Sequence, residues 1–275
     1  FPGYHPLMRS VEADESDGTV AGYSPDYSII TNIEYDHMEH HASEAAFIGC
    51  FEKLIEQTRE TVFYCNTDPI AEKLCSTHPK CKPYELPERP FLLPIPGKHN
   101  QWNAAAAVAV SRKWKTVHEI FQTLEKIQPI ARRFETVFDQ RGIRIISDYA
   151  HHPTEVAALI QTARELKPAR LLGIFQPHRY TRTRALGPDF PPSFQGLEKL
   201  WLVPVYAASE QPLEGGTSAD LAKRFSNDWI DRLYYRQTLE AAWKDISAQL
   251  CKGDLLLIIG AGDIEQVADW AKSWL

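Results

Sequence analysis

From Ile143 to the C-terminus the sequence settles into a regular alternation. Apolar runs at 143–147, 170–175, 199–205 and 254–259 are separated by stretches with helical spacing. This pattern constrains the fold because parallel strands cannot be joined by tight hairpins. They need crossovers, and the crossover helices bury both faces of the sheet. A helix is expected to open at Pro153, a favoured first helical position, with Val156, Leu159, Ile160 and Ala163 on its apolar face. Further helices are expected after the segment 175–184, near 218–225, near 238–250 and from about 264. The fold class expected for this half is therefore α/β, a doubly wound parallel sheet.

The first half reads less regularly. Tyr27–Asn32 and Thr61–Cys65 have strand character. Between them, apolar residues at 47, 48, 51, 54 and 55 have helical spacing, with Ser43 as N-cap. Residues 79–96 carry six prolines and read as loop or edge structure. Helices are expected from about His99 to Trp114 and from about Val117 to Ile127. Pro129 and the Arg132-Arg133-Phe134 step mark the best boundary, dividing the chain into 1–129 and 130–275.

The net charge of −6 argues against nucleic acid as the main partner, since phosphate-backbone binders carry a basic excess. No apolar run approaches the roughly 20 residues that span a bilayer, so no membrane association is expected. The N-terminus lacks a signal-peptide layout. Five cysteines without a Cys-x-x-Cys pair suit reduced thiols in a cytoplasmic protein. Cys75, His78 and Cys81 have ligand-like spacing but no obvious fourth ligand, so an ordinary loop is the default.

The basic residues are concentrated locally. Phe175 to Arg184 places Arg179, Arg182, Arg184 and His178 directly after a strand-like run, where open α/β sheets bind their ligands. Guanidinium forks in a loop there would suit a carboxylate or phosphate. Asp148 to Glu155, with His151 and His152, follows the preceding strand, so the two loops read as one wall of a site. Arg132-Arg133 could be a surface pair or could reach a phosphate at a domain junction. Glu12, Asp14, Glu15 and Asp17 read either as a solvated acidic turn or, with His37, as a magnesium site. In Gly97-Lys98-His99-Asn100-Gln101-Trp102-Asn103, the two asparagines share a helical face. One could cap the helix, or the pair beside His99 could read an adenine edge. Gly260-Ala261-Gly262 is a weak dinucleotide-like signal, or only a tight turn.

Taken in order, these segments resemble the Mur ligase family. The matching pieces are Glu12 to Asp17, Thr31 to Met38, Gly97 to Asn100 with Asn103, Arg132 to Phe134, Asp148 to Glu155 and Phe175 to Arg184, followed by Val205 to Ala208 with Glu210 and Gly260 to Gly262. The resemblance implies a partial central ATPase domain of Mur ligase type followed by a Rossmann-like C-terminal domain. It implies ATP-dependent amide formation through an acyl phosphate, with ATP and Mg²⁺ as cofactors. The Gln176-Pro177-His178-Arg179-Tyr180-Thr181-Arg182-Thr183 string is similar to the alanine-adding member, which implies UDP-N-acetylmuramate and L-alanine as acid and amine. Carried over, Glu12 and His37 would ligate magnesium, and His99, Asn100 and Asn103 would contact the adenine side of ATP. Arg133 and Asp148 would meet its phosphate and ribose. His151, Arg179 and Arg182 would hold L-alanine and the reacting carboxylate.

The chain also departs from the family pattern. No Gly-x-x-x-x-Gly-Lys-Ser/Thr motif is present, because Gly97-Lys98 is followed by His99 and no glycine stands five residues before Gly97. Ser147 stands where the family usually has a second aspartate, and the stretch between Cys81 and Gly97 is short. The 275 residues are thus expected to be the C-terminal portion of a ligase, without the UDP-gripping domain and without turnover of their own. Self-association or a missing N-terminal segment would cover the apolar surface of a halved sheet. Two alternatives stay open: a degenerate nucleotide- or amino-acid-binding module, and a Mur-type ligase (a muropeptide ligase, for example) with another acid and amine.

Overall fold

The structure, a computed structural model, describes residues 9–13, 15, 18–35 and 41–274. Two compact units are present, one formed by residues 1–90 and 102–120, the other by 91–101 and 121–275.

In the first unit, three parallel strands lie in the order β1 (Tyr27–Ile30), β2 (Thr61–Cys65), β3 (Cys81–Tyr84). Between β1 and β2 runs α1 (Glu44–Gln57), whose first turn is capped by Ser43 accepting from the amide of Ala46 at 3.1 Å. Phe47, Phe51 and Ile55 of α1 bury against Ile30, Val62 and Tyr64 of the sheet. A short helix, α2 (Pro69–Cys75), starts at Asp68, whose carboxylate accepts from the amide of Ala71. The Cys75, His78 and Cys81 spacing therefore spans a helix end, a turn and the start of β3. No group of three or more His, Cys, Asp or Glu that could hold a metal occurs among the described residues. Two helices follow, α3 (Lys98–Ser111) and α4 (Val117–Leu124). The first four residues of α3 belong to the second unit and the rest to the first.

The second unit contains a six-stranded sheet. Its strands are β4 (Glu135–Gln140), β5 (Ile143–Asp148), β6 (Arg170–Phe175), β7 (Lys199–Leu202), β8 (Leu233–Tyr235) and β9 (Asp254–Ile259), in the spatial order β4-β5-β9-β6-β7-β8. All neighbours pair in parallel except β4 and β5, which form an antiparallel hairpin at one edge. The five strands from β5 onward form the expected parallel doubly wound sheet, and the sheet is extended at one edge by an antiparallel strand, β4, that the sequence reading did not include. β4 is hard to see in the sequence because it is half exposed and carries Glu135, Asp139 and Gln140.

Side chains alternate strictly between two cores, as the two-residue strand period requires. Ile146, Leu171, Phe175, Leu200, Leu202, Leu255, Leu257 and Ile259 face α5 (Pro153–Glu165), α7 (Phe190–Ser193) and α8 (Ser218–Ala222). Ile145, Leu172, Ile174, Trp201, Leu256 and Ile258 face α9 (Leu239–Ser247) and α10 (Glu265–Lys272). Gly173 sits where a Cβ would lie 2.7 Å from Leu197, so the close packing of the first core requires glycine there.

This topology positions the site. β5 and β6 both lead into connections on the first face, whereas β9, lying between them, leads into α10 on the other. A strand whose connection departs opposite to those of its neighbours opens a crevice at the carboxyl edge. The crevice falls where Asp148, Gly260 and Gln176 end their strands.

Candidate functional site

Two groups of polar side chains meet this carboxyl edge. The first is built on Asp148 at the end of β5. One carboxylate oxygen accepts from the amide of Phe134 at 2.8 Å and the other from the amide of Ala150 at 2.9 Å. Burial raises its pKa; these two amides and the nearby Arg133 charge oppose the rise. His99, at the start of α3, lies within electrostatic reach of Asp148, Arg133 and Glu155. The residue as a whole is exposed, yet partial burial of the ring lowers its pKa; Asp148 opposes this and Arg133 adds to it. Gly97 (φ +106°) enters this helix with its α-carbon packed so that a Cβ would lie 2.7 Å from the His99 ring.

The arginine pair divides its labour. Arg132 and Phe134 both have positive φ, 58° and 51°, a region that L residues seldom occupy. The guanidinium of Arg132 turns under the sheet end and donates to the carbonyls of Gly260 (2.6 Å) and Gly262 (3.1 Å), pairing also with Glu265 at 2.9 Å. It is a structural clamp on the Gly260-Ala261-Gly262 turn. That turn needs its glycines, since a Cβ on Gly262 would lie 2.5 Å from Tyr206. Arg133 remains exposed, beside Asp148 and 5.5 Å from the Tyr149 ring.

The second group joins the ends of β5 and β6. These strands are consecutive in sequence but separated in space by β9, so the two loops reach each other across the end of a third strand. They do meet: the rings of His151 and His178 are 5.9 Å apart. His151 Nδ1 lies 3.0 Å from the carbonyl of Tyr149. A carbonyl can only accept, so Nδ1 carries the proton and Nε2 offers a lone pair in the neutral ring. Glu155 accepts from the amides of His151 and His152, and His152 caps α5.

The arginine segment is a correction. Tyr180–Ala185 forms the short helix α6, with Arg179 as its N-cap, so Arg182 and Arg184 are helical and not on a loop. Arg182 is buried, its Nη1 3.2 Å from Nδ1 of His178. The His178 ring stacks on Tyr206 with centroids 5.5 Å apart. Burial first, then the charges of Arg182, His151 and Arg179, lower the His178 pKa to about 4.

Other expected residues fall elsewhere. Asn100, the third residue of α3, donates its side-chain amide to the carbonyl of Pro96 at 2.6 Å, a bond that ties the helix start to the preceding loop and is not an N-cap, and Asn103 is exposed one turn further along α3. Glu12 is exposed; Asp14, Asp17 and His37 lie outside the described residues. Tyr149, His178 and Tyr206 had no assigned role from sequence. The one signal that could have flagged them is their place at a carboxyl strand end.

The comparisons agree with this architecture. Residues 9–86 match the Mur ligase middle domain, and residues 132–262 match the domain described as Mur ligase, glutamate ligase domain. UDP-N-acetylmuramate–L-alanine ligase of Solibacter usitatus is 34% identical over 96% of this chain and 63% of its own length. The ligase of the same name from Pelotomaculum thermopropionicum is 32% identical over 92% of the chain and 62% of its own length. Among solved structures, UDP-N-acetylmuramate–alanine ligase from Thermotoga maritima superposes with a TM-score of 0.73 at 25% identity, over 94% of this chain and 62% of that one. The MurF ligase of Thermotoga maritima, solved in complex with ADP, shares the fold with a TM-score of 0.68 at 16% identity, over 90% of this chain and 62% of that one. The chain thus spans a little over three fifths of the length of these relatives. No helix among the described residues is long and apolar enough to cross a membrane. With the middle domain followed by the glutamate ligase domain, the chain belongs to the Mur ligase family.

Proposed function

We propose that this chain supplies the amino-acid-binding half, and part of the ATP-binding half, of a UDP-N-acetylmuramate–L-alanine ligase. Residues 1–129 are read as part of the central domain and residues 130–275 as the C-terminal domain. The observation that carries this is the convergence of His151, His178, Arg179 and Arg182 from the ends of β5 and β6 across the end of β9, beside the Asp148, Arg133 and His99 group.

Amide formation from an acyl phosphate asks little covalent work of a protein. It asks for two reactants held in line and for cations where oxyanion charge develops. Arg179 and Arg182 suit the second task, gripping the carboxylate of L-alanine and the reacting acyl group. His151, its ring oriented by the Nδ1 contact to Tyr149 and set beside the His178 ring, suits the first, because it stands at the strand end where the incoming amine would be held. Arg133 offers an exposed guanidinium to a phosphate, and the Asp148 carboxylate retains acceptor capacity for a ribose hydroxyl. His99 has its pKa held below the ordinary range, so it stays neutral near pH 7 and able to pair with a base edge, with Asn100 and Asn103 along the same helix. Glu12 and His37 are the residues assigned to Mg²⁺, which when bound would neutralise phosphate charge.

The test is phosphate release by the product of the source gene, supplied with ATP, UDP-N-acetylmuramate and L-alanine. Release should depend on L-alanine, and Arg179→Ala should raise the L-alanine KM or collapse turnover. Release indifferent to L-alanine, or unchanged kinetics in Arg179→Ala, would overturn the assignment.

A further inference from the structure

Glu210 lies on the loop after β7, 29 residues from the arginine helix, yet it ends against the first turn of α6. One carboxylate oxygen accepts from the Thr181 hydroxyl at 2.6 Å and the other from the Thr181 amide at 3.0 Å. First-turn amides of a helix have no acceptor within the helix, and Arg179, the N-cap, supplies no side-chain cap. A carboxylate from a distant loop takes that place.

The surrounding backbone is built around this contact. Arg179 has φ 66° and ψ 137°, a region that costs a non-glycine residue energy and persists only where neighbours over-determine it. Here the amide of Arg179 donates to the carbonyl of Tyr206, and the amide of Tyr206 donates to the carbonyl of Pro177, both at 2.9 Å. The Thr183 hydroxyl donates to the Arg179 carbonyl at 2.7 Å. On the partner loop, Ala208 and Ser209 are consecutive left-handed residues, φ 46° and 73°, which turn the chain so that Glu210 points back at α6. Three strained non-glycine residues thus converge on one carboxylate. A further cause is electrostatic: burial pushes the Glu210 pKa up, but hydrogen bonds from Thr181 and Tyr180 and the Arg179 charge outweigh it, leaving the group ionised.

We propose that Glu210 is a positioning residue: by holding Thr181 it fixes the first turn of α6 and sets where the Arg179 and Arg182 guanidinium groups stand. It acts through those arginines, and its catalytic consequence rests on the ligase function proposed above.

The first arm of the test needs no activity. In the isotope-labelled 275-residue chain, the Nε–Hε signals of Arg179 and Arg182 should be dispersed and slow to exchange. Glu210→Ala should move them toward free-arginine positions and speed their exchange. Thr181→Val, which keeps the amide but loses the hydroxyl, should do so partly, and Glu210→Gln least. Unchanged arginine signals in a folded Glu210→Ala would overturn the proposal. Should Glu210→Ala fail to fold, Thr181→Val and Glu210→Gln decide it by the same signals.

The second arm uses the full gene product. Glu210→Ala should lower kcat/KM for L-alanine about 100-fold, the scale of an ångström-sized misplacement. In a background lacking both guanidinium groups, Arg179→Ala with Arg182→Ala, the same change should cost no more than about 2-fold, because residues acting as one unit are not additive. Multiplying losses would overturn the proposal. A wild-type protein without L-alanine-dependent turnover would sink the ligase assignment alone, and the arginine signals would still decide the role of Glu210.

Discussion

His178 should remain uncharged far below the pH at which an ordinary histidine protonates. Its ring is stacked on Tyr206 and its Nδ1 faces the Arg182 guanidinium at 3.2 Å. A guanidinium can only donate, so Nδ1 must accept and the ring proton must sit on Nε2. Protonation would destroy that acceptor and place a second cation against Arg182. Burial, then Arg182, His151 and Arg179, bring the pKa from 6.5 to about 4, with Glu210 working weakly against them.

The sign of the pH effect follows. Above pH 6.5 the ring is neutral in both folded and unfolded chains and contributes nothing to the slope. Between 6.5 and about 4 the unfolded chain binds the proton and the folded chain does not, so stability falls as the pH drops. Taken at full value the difference is about 3 kcal/mol at 1.36 kcal/mol per unit. The ring is only partly buried, and solvent screening reduces this to about 1–2 kcal/mol. The assay is an NMR titration of the His178 ring in this chain, with urea unfolding at pH 7 and 4.5 beside it. His178→Asn, which can still offer an acceptor to Arg182, should lose about 1–2 kcal/mol less than wild type over that interval. Arg182→Met should move the His178 pKa upward. A His178 that titrates near 6.5 in the folded wild-type protein would refute the packing argument.

Three other substitutions test separate parts of the fold. Gly216→Ala would drive a Cβ into the Tyr180 carbonyl, backbone that cannot swing away. It should cost about 1–3 kcal/mol by overpacking and disturb the Arg179 signal; a stable variant with an unchanged signal would count against the tight approach to α6. Gly49 sits mid-helix in α1 with open space where a Cβ would stand, nothing lying within 4 Å of that point, so Gly49→Ala should stabilise the first unit by about 0.5–1 kcal/mol in thermal unfolding. A loss of stability would mean that the site is not open. Asp254, buried at the start of β9, accepts two bonds from Arg170 (2.7 and 2.5 Å) and one from the amide of Cys251 (2.7 Å). Asp254→Ala should cost about 2–4 kcal/mol in urea unfolding, somewhat below a fully buried pair because Arg170 keeps access to water. An effect under about 0.5 kcal/mol would place the pair among surface salt bridges.

What the sequence revealed, and what it withheld, follows from burial. The strands at 61–65, 170–175 and 254–259 were legible to the residue, because buried strands read as unbroken apolar runs between turn signals. β4 and α6 were not. β4 is an edge strand with charged residues outward, and α6 is too short to show an apolar stripe through its arginines and threonines. The strand-end location of the polar loops was also legible, since it follows from strand order along the chain. The division between Arg132 and Arg133 was not. Adjacent identical residues look alike in sequence, and what separates them is backbone conformation. Left-handed φ at 132 and again at 134 turns the first guanidinium under the sheet, onto the carbonyls of Gly260 and Gly262, and leaves the second in the open beside Asp148. The hydrogen bond from the Phe134 amide to Asp148 holds that geometry. Asp148 therefore has two jobs: as a candidate ligand group, and as the anchor that decides which arginine faces the crevice. Removing its carboxylate would disturb Arg133 as well, so a loss of nucleotide affinity in Asp148→Ala measures both together, and only the comparison with Arg133→Ala separates them.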